Sequence, residues 1–205
     1  MSPHLVPTTH QTYQQAALVL ARAFVEEPVS AHIYRMFSPE RRIRALQNDF
    51  SAELIASLRK GHPVHLEENN RITAAAIIYP PGSYPLPWLD QWVTLLKSVL
   101  GNGFYDVRSW LRWLDEADKL HPTAVHYYLP CIGVDPAFQG KGMGSTLMAY
   151  LATKADQDGV GCYLENADPR NISFYQRFGF KIMDEKHFLG FPNWYMWREP
   201  TSQKG

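Results

Sequence analysis

The chain has 205 residues, with 20 lysines and arginines balanced by 20 aspartates and glutamates. That length suits one α/β domain with a full core and is short for two. Zero net charge gives no general attraction to nucleic acid or an anionic membrane, so neither is expected as a partner. No apolar run reaches transmembrane length, and Met1 to His10 lacks the apolar stretch of a signal peptide. Cys131 and Cys162 lie in apolar strand-like runs with no metal-ligand spacing and no disulfide framework, so the expectation is a reduced cytoplasmic protein with two buried thiols and no metal site.

Leu5 to Thr8 fits a short edge strand, and Gln11 to Val25 an amphipathic helix that stops before Pro28. Ser38-Pro39-Glu40 is a helix start, serine capping and proline in the first turn. That helix carries Ile43, Leu46, Phe50, Leu54 and Leu58 inward and ends at Gly61, while Arg41, Arg42 and Arg44 read as a solvated face. His62 to Glu67 and Ile72 to Pro80 form a hairpin around Glu68-Asn69-Asn70. The unbroken apolar run Ala74 to Tyr79 implies a strand covered on both faces.

Pro81 to Pro122 breaks the rhythm. Two helical patterns fit it, Trp88 to Leu100 and Phe104 to Leu120, around Gly101-Asn102-Gly103. This stretch reads as an insert between the third and fourth strands, and such inserts are usually functional or interfacial. Its tryptophans (Trp88, Trp92, Trp110, Trp113) either fasten the insert or shape a pocket. Downstream, Gly159-Val160-Gly161 ends a long helix and Cys162 to Asn166 is a strand. Asp168-Pro169 starts a helix that stops at Gly179, and Phe180 to Met183 and Tyr195 to Arg198 are strands flanking a loop from Phe188 to Pro192. The result is an α/β chain: a mixed sheet of six or seven strands with helices on both faces, in a single domain over residues 1–205 with the insert at 81–122.

The chain is organised around Tyr127 to Thr146. An apolar strand ends at Asp135-Pro136, a loop of alternating glycines follows (Gln139-Gly140-Lys141-Gly142-Met143-Gly144), and Leu147, Met148, Leu151, Ala152 and Ala155 then repeat at helical spacing. Strand, glycine loop and helix start form an anion site, because the first amides of a helix lack internal acceptors and glycine permits close approach. A Walker loop would need glycine where Asp135 stands and Ser or Thr where Gly142 stands. A dinucleotide fingerprint starting at Gly140 would need glycine at Ser145.

The spacing that does fit, Gln/Arg-x-x-Gly-x-Gly/Ala, resembles the acyl-CoA pyrophosphate loop of the GNAT N-acetyltransferase superfamily. Tyr163-Leu164-Glu165, Asn171 and Phe174-Tyr175-Gln176-Arg177-Phe178-Gly179-Phe180 resemble the remainder of its core. Ala23-Phe24, Glu27-Pro28 and Tyr79-Pro80-Pro81-Gly82 are similar to a bacterial subgroup that includes puromycin N-acetyltransferase. The resemblance implies a GNAT-like acyl-CoA N-acyltransferase fold and transfer of an acetyl group from acetyl-CoA to a primary amine, directly in a ternary complex. The expected acceptor is a small antibiotic-like or metabolite amine, and the protein a monomer or homodimer. A protein N-terminus or lysine as acceptor, and a non-catalytic acyl-CoA sensor, are the alternatives.

The resemblance also assigns roles. Ile132, Gly133 and Val134 would offer main-chain groups to the pantetheine, with Gly133 permitting a bulge that parts strand four from strand five. Gln139, Gly140, Lys141, Gly142, Met143, Gly144 and Ser145 would hold the pyrophosphate, and Asn171 would address the cofactor. Tyr175 would act as general acid, its phenol (ordinary pKa about 10) remaining protonated at neutral pH. The base is open. His126-Tyr127-Tyr128-Leu129 carries no carboxylate, leaving Glu165 as the nearest candidate, His126 as another, and the absence of a dedicated base as a third reading.

Overall fold

The computed structural model describes residues 3–102 and 120–201. In chain order they form β1 (His4–Pro7), α1 (Tyr13–Phe24), α2 (Pro28–Ile33), α3 (Pro39–Lys60), β2 (Val64–Glu68), β3 (Arg71–Tyr79), α4 (Trp88–Asn102), β4 (His126–Val134), α5 (Met143–Asp158), β5 (Gly161–Asn166), α6 (Ile172–Gln176), β6 (Lys181–Phe188) and β7 (Phe191–Arg198). The second helical pattern of the insert, with Trp110 and Trp113, lies outside the described residues.

One seven-stranded sheet has the order β1-β2-β3-β4-β5-β7-β6, antiparallel except where β4 meets β5. Alternation along β3 explains its two covered faces. Ala75, Ile77 and Tyr79 meet α1 and α3 on one side, while Ala74, Ala76 and Ile78 meet α5 on the other. The hairpin turn uses Asn69 and Asn70, both at positive φ (51° and 59°), the conformation a two-residue hairpin loop requires.

Several boundaries differ from the sequence reading. Pro28 does not merely end a helix: Glu27 accepts from the Val29 and Ser30 amides, and Pro28 opens the short α2. The Phe188–Pro192 loop contracts to Leu189-Gly190, both at positive φ, so β6 and β7 pair up to Phe188 and Phe191. Gly101-Asn102 is no turn but the last part of α4. There Asn102 Nδ2 donates to Ala45 O (3.0 Å) and Asp49 Oδ1 (2.8 Å), locking α4 onto α3. Arg42 is not on a solvated face, since its guanidinium donates to Val25 O at 3.2 Å and lies 3.6 Å from Glu26. Cys131 and Cys162 are buried free thiols. Among the described residues, no helix is long and apolar enough to cross a membrane.

Candidate active site

The sheet parts where the site forms. β4 and β5 pair in parallel only from His126↔Gly161 to Tyr128↔Tyr163; beyond that, Leu129 to Val134 has no partner on its β5 side. The cause lies one strand away. Against β3, Ile77 faces Cys131 but Tyr79 faces Tyr128, so β4 holds one extra residue at Leu129-Pro130. Tyr128 and Cys131 consequently share one face of the sheet although they are three apart. Proline suits the bulge because it has no N–H to leave unpaired. The expectation that Gly133 supplies the bulge is therefore corrected. A Cβ at Gly133 would stand 2.8 Å from Ala23 Cβ, so its glycine instead lets α1 pack close against β4.

The glycine loop follows the split. Asp135, buried at the end of β4, accepts from the Ala137 amide (3.0 Å) and pairs with Arg22 (3.0 Å) and Arg71 (3.3 Å). Burial would raise its carboxyl, but that amide and the two guanidinium groups hold it below the ordinary carboxylate range. Gly140 (φ 76°) and Gly142 (φ 83°) are left-handed, and a Cβ on either would meet nothing within 4 Å. That open space is where a ligand can approach the backbone. α5 then begins, with the amides of Met143, Gly144 and Ser145 lacking helical acceptors.

A cavity of about 1070 Å³ joins these parts, lined by the loop, by the free edge of β4, by α6 and by residues of α3 and β5. Its size is at the upper end of the roughly 300–1,000 Å³ usual for small-molecule sites, enough for a long ligand and a second one beside it. Ile132, Gly133, Val134, Gln139, Gly140, Gly142, Met143, Gly144, Ser145 and Asn171 all line it, as do Glu165 and Tyr175. Lys141 does not; its ammonium turns back to Ala137 O (3.4 Å) and the Phe138 ring (4.8 Å from the centroid). His126 is also elsewhere, with Nδ1 2.6 Å from Ala124 O and Nε2 3.1 Å from His121 Nε2.

Tyr175 belongs to the core under the sheet, yet its side chain reaches the cavity wall. Burial, reinforced by Cys131 and Asp168, pushes its phenol well above the ordinary value. Glu165 Oε2 accepts from Tyr128 OH (2.9 Å), and the Tyr163 phenol also faces the carboxylate, whose Oε1 is fully shielded. Burial pushes the Glu165 carboxyl up to about 7 despite the phenols around it.

The wall also carries Glu26, Glu27 and Asp168, each with a partner, and two carboxylates of α3 that were missed from the sequence. Asp49 and Glu53, four apart on α3, flank the stripe of Leu46, Phe50 and Leu54, and acidic residues bordering an inward stripe were the available signal. Asp49 accepts from Tyr34 OH, Ser98 OH and Asn102 Nδ2. Burial pushes it up to about 6, and Glu53, where the charges of Asp49 and Glu165 add to burial, up to about 7. Among the described residues of the insert, Leu95, Ser98 and Val99 of α4 reach the wall, whereas Trp88 and Trp92 are 71 % and 59 % exposed.

A strand that splits from its parallel neighbour beside a glycine loop at a helix start defines the class as a GNAT acyltransferase fold. The model of the "Acetyltransferase (GNAT) domain" family matches residues 110–182. An uncharacterised N-acetyltransferase of Schizosaccharomyces pombe is 26 % identical over 180 residues, covering 82 % of this chain and 70 % of that protein. Among solved structures, a protein described as histone acetyltransferase HPA2 and related acetyltransferase, from Corynebacterium glutamicum, superposes with TM-score 0.73 at 20 % identity over the whole of both chains. PaiA N-acetyltransferase from Thermoplasma acidophilum, in complex with coenzyme A, does so with TM-score 0.59 at 12 % identity, covering 97 % of this chain and 99 % of that one. The chain thus has the GNAT fold, and over residues 110–182 it is similar to GNAT acetyltransferase domains. These relatives do not single out the puromycin-type subgroup.

Proposed function

We propose that this protein transfers the acetyl group of acetyl-CoA directly to the primary amine of a small molecule. The observation that carries the reading is the continuity of one cavity from an anion-binding loop, along an unpaired strand edge, to Tyr175 and a raised-pKa carboxylate. The residues present fit coenzyme A. The α5 amides and the open sides of Gly140 and Gly142 suit the pyrophosphate, and the β4 edge from Leu129 to Val134 can take the pantetheine as an added strand. Six residues of strand span roughly 20 Å, the scale of an extended pantetheine arm.

When bound, acetyl-CoA supplies an activated acyl carbon; everything else falls to the chain. Glu165 takes the proton of the ammonium so that the amine lone pair can attack, and near neutral pH a carboxyl with pKa about 7 is well matched to that task. As the carbon–nitrogen bond forms and the carbon–sulfur bond breaks, the Tyr175 hydroxyl would give its proton to the sulfur leaving with the bonding pair, and the second proton lost by the nitrogen would pass to solvent. An amide of the β4 edge is available to the thioester oxygen. The proton budget closes when Glu165 and Tyr175 exchange with solvent.

Titrating coenzyme A calorimetrically and then assaying thiol release across a panel of primary amines tests this reading, with mass spectrometry of the product. Binding of coenzyme A with acetylation of at least one small amine is expected. Binding without any acetylated amine would make the protein a sensor; acetylation only of peptides would make it a protein acetyltransferase.

A further inference from the structure

Resting on that reading, we propose that Glu53 selects acceptors carrying a second cationic group besides the reacting amine, that is, diamines and amines of similar charge. Glu53 lies on the cavity wall and, among the described residues, makes no hydrogen bond and no ion pair. Its surroundings are unfavourable for an isolated carboxylate. The Asp49 and Glu165 charges act on it, and Tyr79, whose hydroxyl is buried and unpartnered, is near enough to feel its charge. Asp49 is already satisfied by three donors and serves to tie α4 to α3. Glu53 has no comparable structural employment.

Nothing on the wall, among the described residues, neutralises this end. Among the described residues, the lysines and arginines lining the cavity are Arg170 and Arg177, both at the α6 side. Arg170 is held bidentate by Asp168, and the Arg177 guanidinium stands over the Phe174 ring at 5.6 Å. Glu53 is half-buried; an unpaired carboxylate on such a wall is costly, and its natural remedy is a cation. Glu165 stands on the same wall with the Tyr128 and Tyr163 phenols around it and no cation beside it among the described residues. A monoamine answers one of the two open carboxylates. A diamine answers both, its reacting nitrogen at Glu165 and its second nitrogen at Glu53, which remains charged and is never consumed in the transfer.

The test compares putrescine with n-butylamine, which has the same carbon chain and one charge fewer, by calorimetric titration into the protein saturated with coenzyme A. Wild type is expected to bind putrescine at least tenfold more tightly than butylamine, and Glu53→Gln to abolish the preference while keeping its coenzyme A affinity. Equal binding of the two amines by wild type, or no putrescine binding, overturns the proposal even if Glu53→Gln fails to fold. It is likewise overturned if Glu53→Gln weakens both amines equally, which would make Glu53 part of the base. Because the titration needs no turnover, a protein that prefers the diamine yet acetylates nothing would sink the catalytic reading and leave this one standing.

Discussion

In the proposed mechanism Tyr175 and Glu165 take opposite proton duties, and burial moves both phenol and carboxyl upward. For Tyr175 the consequence is an acid that never empties in the accessible pH range, so the alkaline limb that an ordinary phenol would give is not expected. Tyr175→Phe deletes only a hydroxyl, and the ring's packing on Phe174 and Phe180 is retained. Single-turnover acetylation is expected to slow by roughly 10²–10⁴ with coenzyme A affinity unchanged; a wild-type rate would make Tyr175 a packing residue. For Glu165 the sign is opposite. The carboxylate is the active form, so kcat/KM should rise as pH rises through about 7 and level off above it. Glu165→Gln should lose that limb and be slow at every pH, whereas an unchanged profile would assign the limb to another group.

At the level of elements, the strand, glycine loop and helix from Tyr127 to Thr146 were legible because close backbone approach demands glycine at fixed spacing. The hairpin was legible because Asn-Asn matches its turn. The bulge was not: Gly133 is the conspicuous residue, but the extra residue sits at Leu129-Pro130, a fact of pairing against β3 that β4 alone does not carry. Asp49 and Glu53 left only a weak signal, as acidic residues bordering an inward stripe, because it is tertiary packing that turns their side of α3 toward the β4–β5 split. Of the insert's described residues, Trp88 and Trp92 face outward while Leu95 and Ser98 wall the cavity, so a pocket role is not met by these two tryptophans. For the loop itself, Gly142→Val should weaken coenzyme A binding at least tenfold, about 1.4 kcal/mol, by calorimetry. A Cβ at position 142 meets no protein atom, so most of that loss should be against the ligand, with some backbone strain at φ 83° showing as a lower Tm. Normal binding by the folded variant would remove the phosphate role from this loop.

Across the whole molecule, a sheet split open over three carboxylates places function against stability. Glu53 has an ordinary carboxyl pKa of about 4.3 when unfolded and about 7 when folded. Below about pH 4 both states are protonated and it contributes nothing. Between pH 4 and 7 the unfolded chain ionises first, so stability falls as pH rises, and the penalty, at most about 4 kcal/mol, is complete above pH 7. Glu53→Gln should therefore be more stable than wild type in urea unfolding at pH 8 and indistinguishable from it at pH 4. A gain independent of pH would mean that the carboxyl is not the cause.

The central claim is direct transfer within one cavity holding acetyl donor and amine together. Its most direct measurement is a rapid-quench single turnover, with the enzyme loaded with acetyl-CoA in the presence or absence of an accepted amine, and with both intact protein and small molecules read by mass. The expected result is one equivalent of N-acetylated amine and of free coenzyme A, formed only when amine is present, and no acetyl group on the protein at any time. An acetylated protein forming before the amine is added, and emptied by it, would contradict direct transfer.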